Sequence, residues 1–206
     1  MKVLGIDTTL EACQAAVIDG ARVLASNSEP MQRGHQERLA PLVERVMAES
    51  GLAFSDLDRI GVTVGPGSFT GLRVGLAFAK GLGLALGIPC VGVQTMRAMA
   101  SGRAGRVAVA LDARREQIYL QMFEDGLASC DPMALSLVEG GDRIRAFAGA
   151  GPASLIGSGG ALLGDLPAVS AQVDPACVAR LAGQESEPLA APRPLYLRAP
   201  DARLPV

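Results

Sequence analysis

Along the first hundred residues the period of the apolar positions changes several times, and each change marks an element. Residues 3–6 and 13–18 are short apolar runs that read as strands, and Asp19-Gly20 supplies a hairpin turn into a third strand at 22–26. From His35 to Ser50 the apolar residues fall at 39, 42, 43, 46 and 47, the spacing of one helical face. Pro41 lies in the early turns of that helix, where its ring and missing N–H are expected to kink it. Residues 60–64 form a buried strand, Gly65-Pro66-Gly67-Ser68-Phe69-Thr70-Gly71 a turn, 69–87 a second helix and 88–93 a further strand. The predicted order is β-β-β-α-β-α-β.

The pattern then begins again. VLGIDTTLEACQAAVI surrounds Asp7 and VAVALDARREQIYLQMF surrounds Asp112, and each reads as an apolar strand, an Asp at its end, a polar turn and an alternating strand. The offset is about 105 residues, far longer than a solenoid period. A strand at 134–138, a helix at 140–148 and apolar Leu155-Ile156 before a glycine-rich turn continue the echo. From Gln184 the chain is rich in Pro and Ala, with Pro188, Pro192, Pro194, Pro200 and Pro205, so no long element is expected there and the tail should run over the surface. The expectation is an α/β protein of two lobes, 1–105 and 106–206, the second shortened. By analogy this is the duplicated actin-like layout of sugar kinases and heat-shock ATPases, with ribonuclease H-like halves, and fold alone does not give function.

Composition narrows the function. Of 206 residues, 49% are hydrophobic and 3% aromatic with no Trp; 19 basic residues face 21 acidic ones. Neither a basic nucleic-acid footprint nor a base-stacking platform is present, so any contact with nucleic acid is expected to be indirect. The four cysteines lie at least 40 residues apart and form no CxxC pair, which argues against structural zinc. The acidic residue at position 7 comes too early for a signal-peptide core, so the cytoplasm is the expected compartment. Residues 69–88 are long and apolar enough to span a bilayer, but Arg73 and Lys80 inside the run favour a buried helix and no membrane association.

Three segments are candidates for chemistry. Asp7, Thr8 and Thr9 end the first strand, and two readings stand side by side: a carboxylate that orients magnesium and phosphate, or one that satisfies its own turn. Gly65, Gly67 and Ser68 open a helix directly after a strand, where free amides attract anions. The segment is neither a Walker A loop nor a GxGxxG fingerprint, and a tight strand-to-helix turn explains its glycines equally well. His35, the sole histidine, falls within the apolar stripe of its helix and reads as a buried or interface imidazole. No GxSxG elbow occurs.

Taken together and in order, GIDTTLEACQAAV, GHQERLAPLVERVM, GPGSFTGLRVGLAFAKGLGLALGIPCVGVQTM, ALDARREQIYLQMF, GSGGALL and PRPLYLR resemble the TsaB (YeaZ) family over nearly the whole chain. The resemblance extends to TsaD, the catalytic paralogue, whose metal-binding HxxxH pair corresponds here to Thr95 and Met99. Neither side chain replaces a histidine ligand of Fe or Zn. The resemblance therefore implies a subunit without catalytic residues, metal or required cofactor, with weak ATP or ADP binding at most. It implies a heterodimer with TsaD, TsaE as an ATPase partner, and a role in N6-threonylcarbamoylation of adenosine 37 in tRNAs reading codons that start with A. A homodimer of the isolated chain is the other assembly left open. Alternatives are a free-standing small-molecule kinase, which needs a complete second half to close on ATP, and an M22-type glycoprotease-like protein, which the missing ligands disfavour.

Helices 35–50 and 69–87 are the expected partner surface, through His35, Leu39, Leu42, Val46, Gly71, Arg73, Gly75, Leu76, Ala79 and Lys80. On a helical wheel the second helix has more apolar surface than one sheet face covers. Its glycines, four residues apart, admit either a partner's backbone or its own sheet.

Overall fold

The aspartate that closes the first apolar run lies at the end of strand β1 (Lys2–Asp7) in a computed structural model that describes residues 1–164, 167–169, 172–186 and 189–198. From β1 the chain hairpins through β2 (Ala12–Asp19) and β3 (Arg22–Pro30), then crosses by helix α1 (His35–Ser50) to β4 (Arg59–Thr63). Helix α2 (Phe69–Leu86) leads to β5 (Cys90–Val93), giving a five-stranded sheet in the order β3-β2-β1-β4-β5. Strands β1, β4 and β5 are parallel, while β2 runs antiparallel to both of its neighbours, β1 and β3. Seven of the eight β2 residues are buried because helices cover both faces of the sheet, which is why its sequence does not alternate.

One face of this sheet meets α1 and α2. Leu39, Leu42, Val43, Val46 and Met47 of α1 bury against Leu4, Ile6, Ala15 and Val17, each side chain contributing roughly 1.5–3 kcal/mol. Helix α1 runs unbroken through Pro41, which stands exposed on its outer side. The other face is covered by α5 (Pro175–Gln184), from the far end of the chain, and by α3 (Thr95–Ala100). Gly61 makes this approach possible: a Cβ there would stand 2.6 Å from that of Ala182 and 2.9 Å from the Val178 carbonyl oxygen. The buried guanidinium of Arg59 donates to the carbonyls of Ala182 (2.7 Å) and Glu185 (2.8 Å), a cationic cap on the C-terminus of α5.

The second sheet repeats the first. Strands β6 (Arg106–Arg114) and β7 (Gln117–Glu124) form an antiparallel hairpin, extended by β8 (Leu127–Ala128) and β9 (Met133–Ser136). Helix α4 (Leu137–Gly149) returns the chain to β10 (Ala153–Ile156), parallel to β6, and β11 (Ala168–Val169) follows. Where the first copy has the 18-residue α2, the second has only a six-residue 3-10 stretch, Ser158–Leu163. The shortened second lobe is thus a lost helix between the last two parallel strands.

Several expected boundaries shift for local reasons. Residues 137 and 138 belong to α4, not to a strand, because Ser136 and Glu139 form a reciprocal capping box. Helices α3 and α5 lie in segments where the periodicity predicts no helix. The tail is not simply a surface run: Pro192 is buried and the Leu195 amide donates to the Val64 carbonyl at 2.7 Å. Pro188, Pro200 and Pro205 lie outside the described residues.

Candidate functional site

The register of the first sheet surrounds Asp7 with donors. Gln14 lies opposite it on β2, and Thr63 follows Val62, the β4 partner of Ile6. Oδ1 of Asp7 accepts from the Thr9 amide (3.1 Å), the Thr9 hydroxyl (2.6 Å) and the Thr63 hydroxyl (2.7 Å), while Oδ2 accepts from Gln14 Nε2 (3.0 Å). The carboxylate is fully buried. Of the two readings of this segment, the geometry matches the second: Asp7 satisfies its own turn and neighbouring strands. Burial, with Glu29 and Asp7 nearby, also pushes the Cys13 thiol up to about 12.

The glycine-rich turn folds back onto the same segment. The Ser68 amide donates to the Thr9 carbonyl at 2.7 Å and the Thr95 amide to the Gly65 carbonyl at 2.9 Å. Ser68 is the N-cap of α2, its hydroxyl accepting from the Gly71 amide at 3.3 Å. Thr8 is buried, and its hydroxyl donates to the Gly71 carbonyl at 2.7 Å. Thr95 sits in hydrogen-bond contact with the Thr9 hydroxyl (3.2 Å) and Met99 packs in the core.

The six candidate anion-site residues therefore divide. Gly67 and Ser68 line a cleft of 440 Å³ between the lobes, and Thr9 borders it with its hydroxyl turned to Asp7 and Thr95, whereas Asp7 and Thr8 are withdrawn into the interior. Gly65 lies behind the cleft, against Leu72 and the Leu195 carbonyl. The cleft wall also holds Glu11, Arg33, Asp112 and Arg114, which the site reading missed. Asp112 had a visible signal, its alignment with Asp7 in the repeat. Its Oδ1 accepts the Arg114 amide at 2.7 Å and its Oδ2 faces the Arg114 guanidinium at 3.2 Å. Arg114, Arg115 and Glu116 beside it hold φ of 63°, 55° and 56°, a strained left-handed turn for residues with side chains. Among the described residues no group of three His, Cys, Asp or Glu is placed to hold a metal ion.

The expected partner residues are corrected more sharply. His35, Leu39, Leu42, Val46, Gly71, Gly75, Leu76 and Ala79 are buried within their own lobe. An added Cβ at Gly71 would collide with the Thr8 carbonyl, and one at Gly75 with the Thr8 hydroxyl, so these glycines seat α2 on its own strands. Only Arg73 and Lys80 of the set are exposed. Arg73 stacks 3.8 Å above the Phe69 ring and donates to the Tyr196 hydroxyl at 3.3 Å. Nor is α2 the buried helix the charges favoured: a third of its residues are buried, and Leu84 is 87% exposed. Among the described residues it is the one helix long and apolar enough to cross a membrane.

Two sheets of matching strand order, with a cleft between them, define a two-lobed actin-like protein. A family model described as "TsaD: tRNA N6-adenosine threonylcarbamoyltransferase" matches residues 23–139. The "tRNA threonylcarbamoyladenosine biosynthesis protein TsaB" of Escherichia coli is 39% identical over 129 residues, 60% of this chain and 55% of that protein. The chain thus aligns with about half the length of that relative. An uncharacterized protein of Mycobacterium tuberculosis is 35% identical over 98% of this chain and 93% of its own length. A crystal structure from Pseudomonas aeruginosa, described as similar to peptidase YEAZ, has a TM-score of 0.83 at 28% identity, covering 96% of this chain and 99% of that one. The chain belongs to the TsaB/YeaZ family.

Proposed function

We propose that this chain is a non-catalytic, cytoplasmic subunit in tRNA threonylcarbamoyladenosine biosynthesis, one that supports TsaD in modifying adenosine 37, with TsaE as a further partner. The observation that supports it most is Asp7. In a phosphotransferase of this fold, a carboxylate at the end of β1 must face the cleft to orient metal and phosphate, and here four donors hold it inside. Thr95 and Met99, buried at the paralogue's ligand positions, point the same way. Among the described residues, neither a cleft-facing Asp7 for the kinase reading nor a pair of metal ligands at 95 and 99 for the glycoprotease reading is in place.

No cofactor is required in this reading, and the cleft at Thr9, Gly67 and Ser68 binds ATP or ADP weakly at most. The partner surface is the outer face of α2, where Ala77, Lys80, Gly81, Leu84 and Ala85 are exposed. TsaD covers this face in the working complex, and a second copy covers it in the isolated chain. The test is co-purification with TsaD from the same organism, followed by ATP titration calorimetry of the isolated chain. A stable heterodimer with no sub-micromolar ATP site supports the reading; sustained ATP turnover by the chain alone refutes it.

A further inference from the structure

We propose that a second groove at the lobe junction recognises a guanidinium group, the head of an arginine side chain on a partner protein. The groove has a volume of 540 Å³ and is lined by Gln94 and Arg97 from the start of α3, Gln121 of β7, Asp131 and Glu185. Gln121 is 3% exposed, and its Nε2 donates to the Cys130 carbonyl at 3.1 Å. A carbonyl can only accept, so this bond fixes the amide orientation. The atom left over is Oε1, a buried acceptor that no donor reaches among the described residues. Buried acceptors of this kind are normally satisfied, which makes Gln121 the second, independent mark of a ligand.

The charges select the ligand. Arg97 is already committed to Glu185, its Nη1 2.7 Å from Oε1 of that carboxylate. Among the described residues no hydrogen bond or ion pair reaches the carboxylate of Asp131, one residue beyond the Cys130 carbonyl. The groove thus holds two carboxylates against one guanidinium, together with the amide oxygen. A ligand must bring positive charge and at least two N–H donors on one head. Guanidinium carries five donors in one plane and is less strongly hydrated than ammonium, so it gives up water more readily to reach a buried oxygen.

The test uses the full-length, ¹⁵N-labelled chain and three capped tripeptides whose central residue is arginine, lysine or citrulline. The arginine peptide is expected to shift the Gln121 side-chain amide and the Asp131 backbone amide saturably in the millimolar range, and citrulline, which has the shape without the charge, to bind at least about tenfold more weakly. Asp131→Asn, a change at an exposed residue, should weaken arginine binding by about fivefold or more, and Gln121→Met should do so without altering the fold of β7. If Gln121→Met does not fold, Asp131→Asn alone decides. Arginine amide run beside the peptide distinguishes a free small molecule from a side chain in a polypeptide; tighter binding of the free compound overturns the partner-protein source. No shift up to about 20 mM, or equal responses to all three peptides, overturns the site.

Discussion

Replacing Asp7 with alanine removes the acceptor of four hydrogen bonds at a fully buried position. The Thr9 hydroxyl can fall back on Thr95, 3.2 Å away. The Gln14 amide, whose oxygen is held by the Ser28 hydroxyl at 2.9 Å, and the Thr63 hydroxyl lose their Asp7 acceptor. Each stranded donor costs about 1–3 kcal/mol, and relief of burying an unpaired carboxylate offsets part of that. The net loss is about 2–4 kcal/mol, a fall in urea midpoint of about 1 M for a slope near 3 kcal/mol/M. Asp7→Asn should lose less, because its carbonyl can still serve Thr9 and Thr63 while its new NH₂ opposes Gln14 Nε2. Equilibrium urea unfolding followed by circular dichroism measures both variants. An Asp7→Ala protein that unfolds at the parent midpoint would falsify the structural role, and loss of partner-dependent activity without loss of stability would assign the carboxylate a ligand role instead.

Arg59→Met keeps the aliphatic packing but removes the cap on the Ala182 and Glu185 carbonyls, and thermal unfolding should register a loss of about 2–3 kcal/mol; an unchanged midpoint would show that α5 does not depend on it. Cys13 and Cys90, raised by burial to about 12 and about 11, stay protonated in the folded chain while the unfolded chain ionises near 9.0. Their contribution is therefore complete below pH 9.0 and is lost as pH rises towards 12; Cys13→Ala should flatten the decline, and in native thiol titration Cys13 should react last. Leu84→Asp, on a side chain 87% exposed, should change stability by less than about 0.5 kcal/mol yet weaken assembly with TsaD in sedimentation experiments; unchanged affinity would move the interface elsewhere.

Much of the first lobe is legible in the apolar periodicity. Helix α1 has the predicted bounds, His35 to Ser50, because its stripe packs on one sheet face only. Asp112 marks the repeat, and the second sheet repeats the first because its strand runs do. Helix α5 is harder to see. Asp174 at the N-cap and Pro175 at N1 announce it, but the Pro- and Ala-rich composition beyond Gln184 hides that signal. The partner surface misleads for a physical reason. The wheel of α2 shows more apolar area than one sheet face covers, but not which side faces the sheet. The glycines select that side, since only there does backbone meet Thr8, and this leaves Leu84 outside. Nor does the sequence tell a metal-orienting aspartate from a structural one. That distinction rests on Gln14 and Thr63, which sheet register brings to Asp7 from two other strands.

In the proposed function the chain supports catalysis without performing it, and reconstitution decides the point. The purified chain, its TsaD and TsaE, a threonylcarbamoyl-adenylate-forming enzyme and unmodified tRNA are combined, and threonylcarbamoyladenosine is quantified by mass spectrometry with each protein omitted in turn. The account predicts product only when both this chain and TsaD are present. Product formed without TsaD, or undiminished when this chain is left out, would contradict it.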